Sequence, residues 1–183
     1  MLTFLSVIDS EETRNKLEQI YINYKKDAYW TAYNILKDHH RAEDVVQDAI
    51  IRMSSLIDKI EEVKCNKTRA LFVIIVRNLS INIYNKRKNM ESAHYEELDI
   101  ESKDLSLDGE IIRLEQVEWV AKELEKINQS YADILTLKYY YEYSNLEISK
   151  LLNITEGNVR VRLHRARQSI KKILLESVDY GQI

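Results

Sequence analysis

The stretch "TEGNVRVRLHRARQSIKK", Thr155 to Lys172, gathers four arginines, two lysines and a histidine, and no acid follows Glu156 until Glu176. Such residues offer positive charge and hydrogen-bond donation rather than bond breaking. An arginine fork pairs with guanine O6 and N7 or neutralises a phosphate, and an asparagine amide pairs with adenine. At helical spacing Val159, Leu163, Ala166, Ile170, Ile173 and Leu174 form an apolar stripe. Asn158, Arg160, Val161, Arg162, His164, Arg165, Gln168 and Lys172 lie wholly or partly off it. Upstream, "SNLE" from Ser144 has the form of a capping box, and Asn153 suits the left-handed conformation at a helix end. Thr155 can then cap the next helix. A helix, the turn "NIT" and a second, basic helix have the length and chemistry of a helix-turn-helix, and a basic second helix is what major-groove docking needs.

Other chemistries find no support. One cysteine, Cys65, and four scattered histidines make no zinc pattern. Cys65 reads as a small semi-buried hydrophobe. Paired carboxylates, a nucleophile–base set and a phosphate loop are all missing, so no catalytic residue, metal or cofactor is expected. A lone cysteine fits a reducing cytosol. The start "MLTFLSVIDSEETR" lacks a positive n-region, and no apolar run of about 18 residues exists. A cytoplasmic protein without membrane insertion is expected.

The elements that must position the basic helix are helical as well. Among 183 residues there is no proline and only three glycines, which argues against a fold rich in tight turns. The 45% apolar and 31% charged shares suit a globular protein. The expected class is all-α, with two small helical domains joined by an acidic flexible linker. Charge shows the division. Residues 1–90 carry 15 basic and 12 acidic side chains, residues 91–118 carry 2 and 10, and residues 119–183 carry 10 and 8. The overall charge of −3 therefore comes from the middle of the chain, and both ends are mildly basic. Residues 91–110 have weak apolar periodicity and read as the linker. The expected boundaries are 1–90, 91–110 and 111–183.

In the first domain Leu17, Ile20, Tyr21, Tyr24, Ala28, Ala32, Ile35 and Leu36 recur at three- and four-residue steps. A break is expected at "KDHHRAED", then a helix carrying Val45, Val46, Ala49, Ile50, Met53, Leu56 and Ile57. A third helix, from about Arg69 to Lys88, should bury Leu71, Phe72, Ile75 and Leu79 on one face, with Ile83 at its end. Its closing run "NKRKN" sits where the helix dipole favours cations. The last domain should start with "IIRLEQVEWVAKELEKI", followed after Ser130 by "YADILTLKYYYEY".

Spacing alone leads to a helix-turn-helix DNA binder. The residues also resemble a family. "YSNLEISKLLNITEGNVRVRLHRARQSIKK" is similar to region 4 of the extracytoplasmic-function (ECF) bacterial sigma factors, with Glu147, Ile148, Leu152, Gly157, Val159, Arg162, Leu163, Arg165, Ala166 and Arg167 as matches. "RAEDVVQDAIIRM" resembles region 2.2 of that family, and "RALFVIIVRNLSINIYNKRKN" resembles regions 2.3 and 2.4. The resemblance covers nearly the whole chain.

The resemblance implies a protein that binds core RNA polymerase and directs it to promoters. Its implied partners are the β′ clamp helices and β flap of the polymerase, promoter DNA, and an anti-sigma factor. The polymerase face would be Asp44, Gln47, Asp48 and Arg52, which share one polar side of their helix. The −10 element would be read and melted by a loop with Lys64, Asn66, Lys67 and Arg69 and by Arg77, Asn78, Asn82, Asn85, Lys86, Arg87 and Lys88. The −35 element would meet Arg160, Val161, His164 and Arg165 at its bases, beside Asn158. Arg162, Arg167 and Lys171 would serve phosphates or local packing. Leu71 replaces the usual tryptophan, Asn82 an aspartate, Asn85 an arginine and Val161 a small polar residue, all of which bear on promoter preference. The alternative is a stand-alone helix-turn-helix regulator with an N-terminal sensor or dimerisation domain. Such a regulator would grip DNA unaided, and the weak charge of the two ends speaks against that.

Overall fold

The computed structural model describes residues 3–91 and 128–179, with side chains from 5 to 88 and from 128 to 172. All regular elements among the described residues are helical. The expected linker after Glu91 and the helix expected from Ile111 lie outside the described residues. The chain forms two compact units, an N-terminal and a C-terminal one.

The N-terminal unit is built on α1 (Glu11–Leu36), α2 (His39–Met53) and α3 (Asn66–Glu91). Ser10 caps α1 by accepting from the Thr13 amide at 3.3 Å, and Glu11 and Glu12 complement the positive helix end. The helix closes at Lys37, whose backbone is left-handed (φ 53°) and whose N–H reaches the Tyr33 carbonyl at 2.8 Å. Asp38 follows at once as the cap of α2, its carboxylate accepting from the Arg41 amide at 3.1 Å. The expected break at "KDHHRAED" therefore shrinks to Lys37 and Asp38. An aspartate able to cap starts the next helix inside the polar stretch.

Helix α1 lies against both α2 and α3, which also meet each other. Leu17, Ile20, Ala28, Ala32 and Leu36 of α1 are buried, and so are Val45, Val46, Ala49, Ile50 and Met53 of α2. Leu56 and Ile57 extend this core from a 3-10 turn, Ser54–Lys59. Helix α3 departs from the one-faced pattern expected of it. From Leu71 to Ile81 every side chain except Arg77 is buried. A helix apolar all round belongs in the interior, and here Val73, Ile74, Val76 and Ile81 join the expected stripe. Its polar interior residues bond their own helix: Asn78 Nδ2 donates to the Ile74 carbonyl at 3.0 Å, and Ser80 Oγ to the Val76 carbonyl at 2.8 Å.

The C-terminal half of the chain carries α4 (Gln129–Leu135), α5 (Asn145–Leu152) and α6 (Glu156–Asp179). Asn128 caps α4 by accepting from the Ser130 amide at 2.8 Å, so this helix starts slightly before the expected point. It runs on into a π-helical turn, Thr136–Tyr140, closed by the Tyr141 amide on the Thr136 carbonyl at 3.1 Å. The capping box at Ser144 forms in both directions. The Ser144 amide donates to the Glu147 carboxylate at 2.8 Å, and the Glu147 amide to the Ser144 hydroxyl at 3.2 Å. Asn153 turns the chain with φ 55°, and the Thr155 hydroxyl accepts from the Asn158 amide at 3.2 Å. The three-residue turn "NIT" thus joins α5 to α6, and α6 lies against α4.

Candidate nucleic-acid interface

Helix α6 divides by exposure as its sequence suggests. Val159, Leu163 and Ala166 are buried and Ile170 is half-buried, while Ile173 and Leu174 lie beyond the described side chains. Asn158, Arg160, Val161, His164, Arg165, Arg167 and Lys171 are exposed, and Arg162 is half-buried at the edge of the stripe. At 3.6 residues per turn, Arg160, His164, Arg167 and Lys171 form one row, and Val161 and Arg165 form the next. Val161 is a branched apolar side chain left 49% exposed among cations. Arg160 Nη2 lies 3.8 Å from the Glu156 carboxylate. An exposed pair of that kind holds its partner weakly. Arg167 differs, because its Nε donates to the Tyr139 hydroxyl at 3.0 Å and fixes the guanidinium to the π-helical turn. Arg167 is thereby held locally.

The candidates on and before α3 fall into several groups. Lys64, Asn66, Lys67, Lys86 and Arg87 are exposed, whereas Arg69, Arg77, Asn82, Asn85 and Lys88 are half-buried. Asn78 is 1% exposed and bonded within α3, so it offers no edge to a base; its amide is part of the interior. The four residues expected in the preceding loop also divide. Helix α3 already starts at Asn66, leaving only Lys64 in the loop, because Cys65 acts as the cap. The Cys65 carbonyl accepts from the Arg69 amide at 3.1 Å, and its sulfur from the Thr68 amide at 3.4 Å. By helical geometry Asn78, Asn82, Asn85 and Lys86 share one side of α3, with Arg77 and Lys88 on another and Arg69 and Arg87 on a third. They do not form one surface.

The polar row of α2 is intact. Asp44, Asp48 and Arg52 follow one another at four-residue steps with Gln47 beside them, and Arg52 Nε donates to Asp48 Oδ2 at 2.9 Å. Asp44 is exposed and the other three are half-buried.

Three side chains to which the sequence pattern assigns no site role hold the loop before α3. Tyr24 counts as part of the apolar stripe of α1, yet its hydroxyl reaches the Val63 carbonyl at 3.1 Å and the Cys65 carbonyl at 3.2 Å. Asp27, one turn further along α1, accepts from Arg69 Nε at 2.7 Å. The buried Thr68 hydroxyl donates to the Glu62 carbonyl at 2.5 Å. Burial pushes the Tyr24 phenol up, with the Cys65 thiol adding to the shift, so the hydroxyl stays protonated and able to donate.

Among the described residues no group of three or more histidine, cysteine, aspartate or glutamate side chains is placed to hold a metal ion. No helix among them is long and apolar enough to cross a membrane. What the described geometry offers is a helix-turn-helix with an exposed basic face, and a helical unit bearing basic and amide side chains around α3.

Comparison with known proteins agrees with this geometry. The family model "Sigma-70 region 2" matches residues 20–90, and "Sigma-70, region 4" matches residues 118–170. The chain is 32% identical to the ECF RNA polymerase sigma factor SigW of Bacillus subtilis (strain 168) over 162 residues, covering 82% of this chain and 84% of that protein. It is 26% identical to SigM of the same organism over 163 residues, covering 89% and 98%, and 23% identical to SigX over 167 residues, covering 88% and 84%. With both regions present in order and identity extending across most of the chain, the protein belongs to the ECF RNA polymerase sigma factors.

Proposed function

We propose that this sigma factor divides its work among three surfaces: the polar row of α2 binds core polymerase, α3 and the loop before it engage the −10 element, and α6 reads the −35 element. The observation that carries the proposal is the exposed face of α6, where Arg160, Val161, His164 and Arg165 project from a doubly capped helix-turn-helix. Arginine forks there suit guanine edges, and the Val161 methyls suit thymine. Asn158 and Lys171 flank them, while Arg162 and Arg167 position the helix or touch phosphate.

Core polymerase and promoter DNA are the partners. The acidic and amide groups Asp44, Gln47 and Asp48, with Arg52 oriented by Asp48, suit the clamp helices of β′, and the C-terminal unit suits the β flap. On the −10 side, Lys64, Asn66 and Lys67 form the outward-facing set, with Lys86 and Arg87 near the end of α3 supplying phosphate contacts. Residues 1–90, 91–110 and 111–183 then act as polymerase-and-−10 domain, tether and −35 domain. The protein works in the cytoplasm, where the polymerase is, and it carries out no chemistry itself.

A footprint of reconstituted holoenzyme on a cognate promoter tests this division. Wild-type protein should protect both elements, and Arg160→Ala/Arg165→Ala should lose protection at −35 while retaining assembly with core polymerase. Unchanged −35 protection in that variant would remove α6 from the account.

A further inference from the structure

The loop from Glu61 to Cys65 is only five residues long, and side chains outside it hold it. One phenolic proton, that of Tyr24, is shared between the carbonyls of Val63 and Cys65 at 3.1 and 3.2 Å. Both partners are pure acceptors, so the tyrosine must be the donor. The Thr68 hydroxyl, 4% exposed as a residue, ties the Glu62 carbonyl to the first turn of α3 at 2.5 Å. The Cys65 sulfur sits 3.3 Å from the same Glu62 carbonyl and 3.4 Å from the Thr68 hydroxyl. Asp27 then locks that first turn to α1 through Arg69 at 2.7 Å. The Tyr24 and Asp27 bonds join residues 39 to 42 positions apart in sequence and so set where the loop sits, while the Thr68 and Cys65 bonds, three to six positions apart, fix its local shape.

The loop and the first turn of α3 are thereby fastened, while Lys64 of the loop and Asn66 and Lys67 of that first turn remain exposed. A side chain that must choose among bases needs its backbone fixed, because discrimination comes from geometry and not from charge. Left mobile, three such side chains would still attract phosphates but would no longer distinguish one base from another. We propose that Tyr24, Asp27 and Thr68 are positioning residues for −10 discrimination, holding the 61–65 loop and the first turn of α3 so that Lys64, Asn66 and Lys67 meet bases in one register. The inference rests on the reading that this loop engages the −10 element. The three residues touch no DNA themselves; they act through the loop.

Asp27 also alters the role of Arg69. With its Nε committed to Asp27, Arg69 serves as the latch of the loop more than as a free phosphate contact. Its counter-charge makes the site nearly neutral, which leaves affinity to Lys64 and Lys67.

The test uses full-length protein in holoenzyme with core polymerase and a set of promoters differing only in −10 bases. Tyr24→Phe removes one hydroxyl and keeps the ring. Thr68→Val removes the other, and Thr68→Ser restores it. The spread of open-complex formation across the −10 set should narrow by about three- to tenfold in Tyr24→Phe and Thr68→Val, the factor that one net hydrogen bond carries. Thr68→Ser should recover it, amide exchange at residues 63–66 should quicken in the first two variants, and affinity for core polymerase should stay as in the wild type. A folded Tyr24→Phe with faster loop exchange and an unchanged −10 spread would overturn the proposal. Asn66→Ala and Lys64→Ala separate the two layers. If they change the −10 spread while Tyr24→Phe and Thr68→Val do not, the positioning role fails alone. If they leave it unchanged, the reading of the loop fails, and the positioning role with it.

Discussion

At the scale of single residues, position on a helix decides what an arginine can do. Arg165 is exposed in the row beside Val161, whereas Arg167, two positions on, is bound to the Tyr139 hydroxyl. Arg165→Ala should cost about 1–3 kcal/mol of promoter selectivity, read as relative transcription from −35 variants. Equal selectivity before and after the substitution would contradict the assignment. The sequence pattern exposed this face because buried and exposed residues alternate at a helical period. It did not reveal Arg167's partner, since Tyr139 is 28 positions away and the contact depends on the π-helical turn that presents it. Asn78 shows the opposite failure. An amide in a motif-like stretch looks available, but α3 is buried all round there and the side chain turns back onto Ile74.

Tyr143 also belongs to the residue scale. It is 2% exposed, and burial, helped by the nearby Glu147 carboxylate, has its phenol pushed up to about 12. In the unfolded chain the phenol ionises near 10.0, so above that pH the unfolded state loses its proton first. The stabilising contribution is complete below pH 10 and disappears as pH rises through about 12. It amounts to about 2–3 kcal/mol at most. Denaturant melts of wild type and Tyr143→Phe should therefore diverge in pH dependence between pH 10 and 12, with the wild type falling more steeply. Parallel curves would show that Tyr143 does not carry the effect.

At the scale of elements, caps determine the helix-turn-helix more than apolar content does. The Ser144–Glu147 box, the left-handed Asn153 and the Thr155 cap fix both ends of a three-residue turn. Ser144→Ala should destabilise the C-terminal unit by about 1 kcal/mol, seen as a lower thermal midpoint in calorimetry of the full chain. Asn153→Gly should leave it unchanged or slightly raised, because glycine accepts φ 55° without a Cβ. A destabilised Asn153→Gly would mean that the asparagine side chain, not its backbone, matters there. These caps were legible in sequence because each is a short local code. The start of α2 was not, since Asp38 caps within a run that reads as polar loop. Nor was the loop before α3, whose restraints come from Tyr24 and Asp27 about forty residues earlier.

For the whole molecule, the charge distribution explains why this protein needs a partner. Its two ends exceed neutrality by only +3 and +2, while residues 91–118 carry −8. Unaided binding to duplex DNA leans on phosphate neutralisation, and a chain of −3 overall supplies little of it. In the proposed division of work, α6 therefore relies on polymerase for most of the grip. The direct measurement is run-off transcription with purified core polymerase and promoter templates. Transcripts that start at defined promoters only when this chain is added are the predicted result. If the free chain bound duplex promoter DNA tightly and specifically, yet neither associated with core polymerase nor changed its transcripts, the central claim would be contradicted.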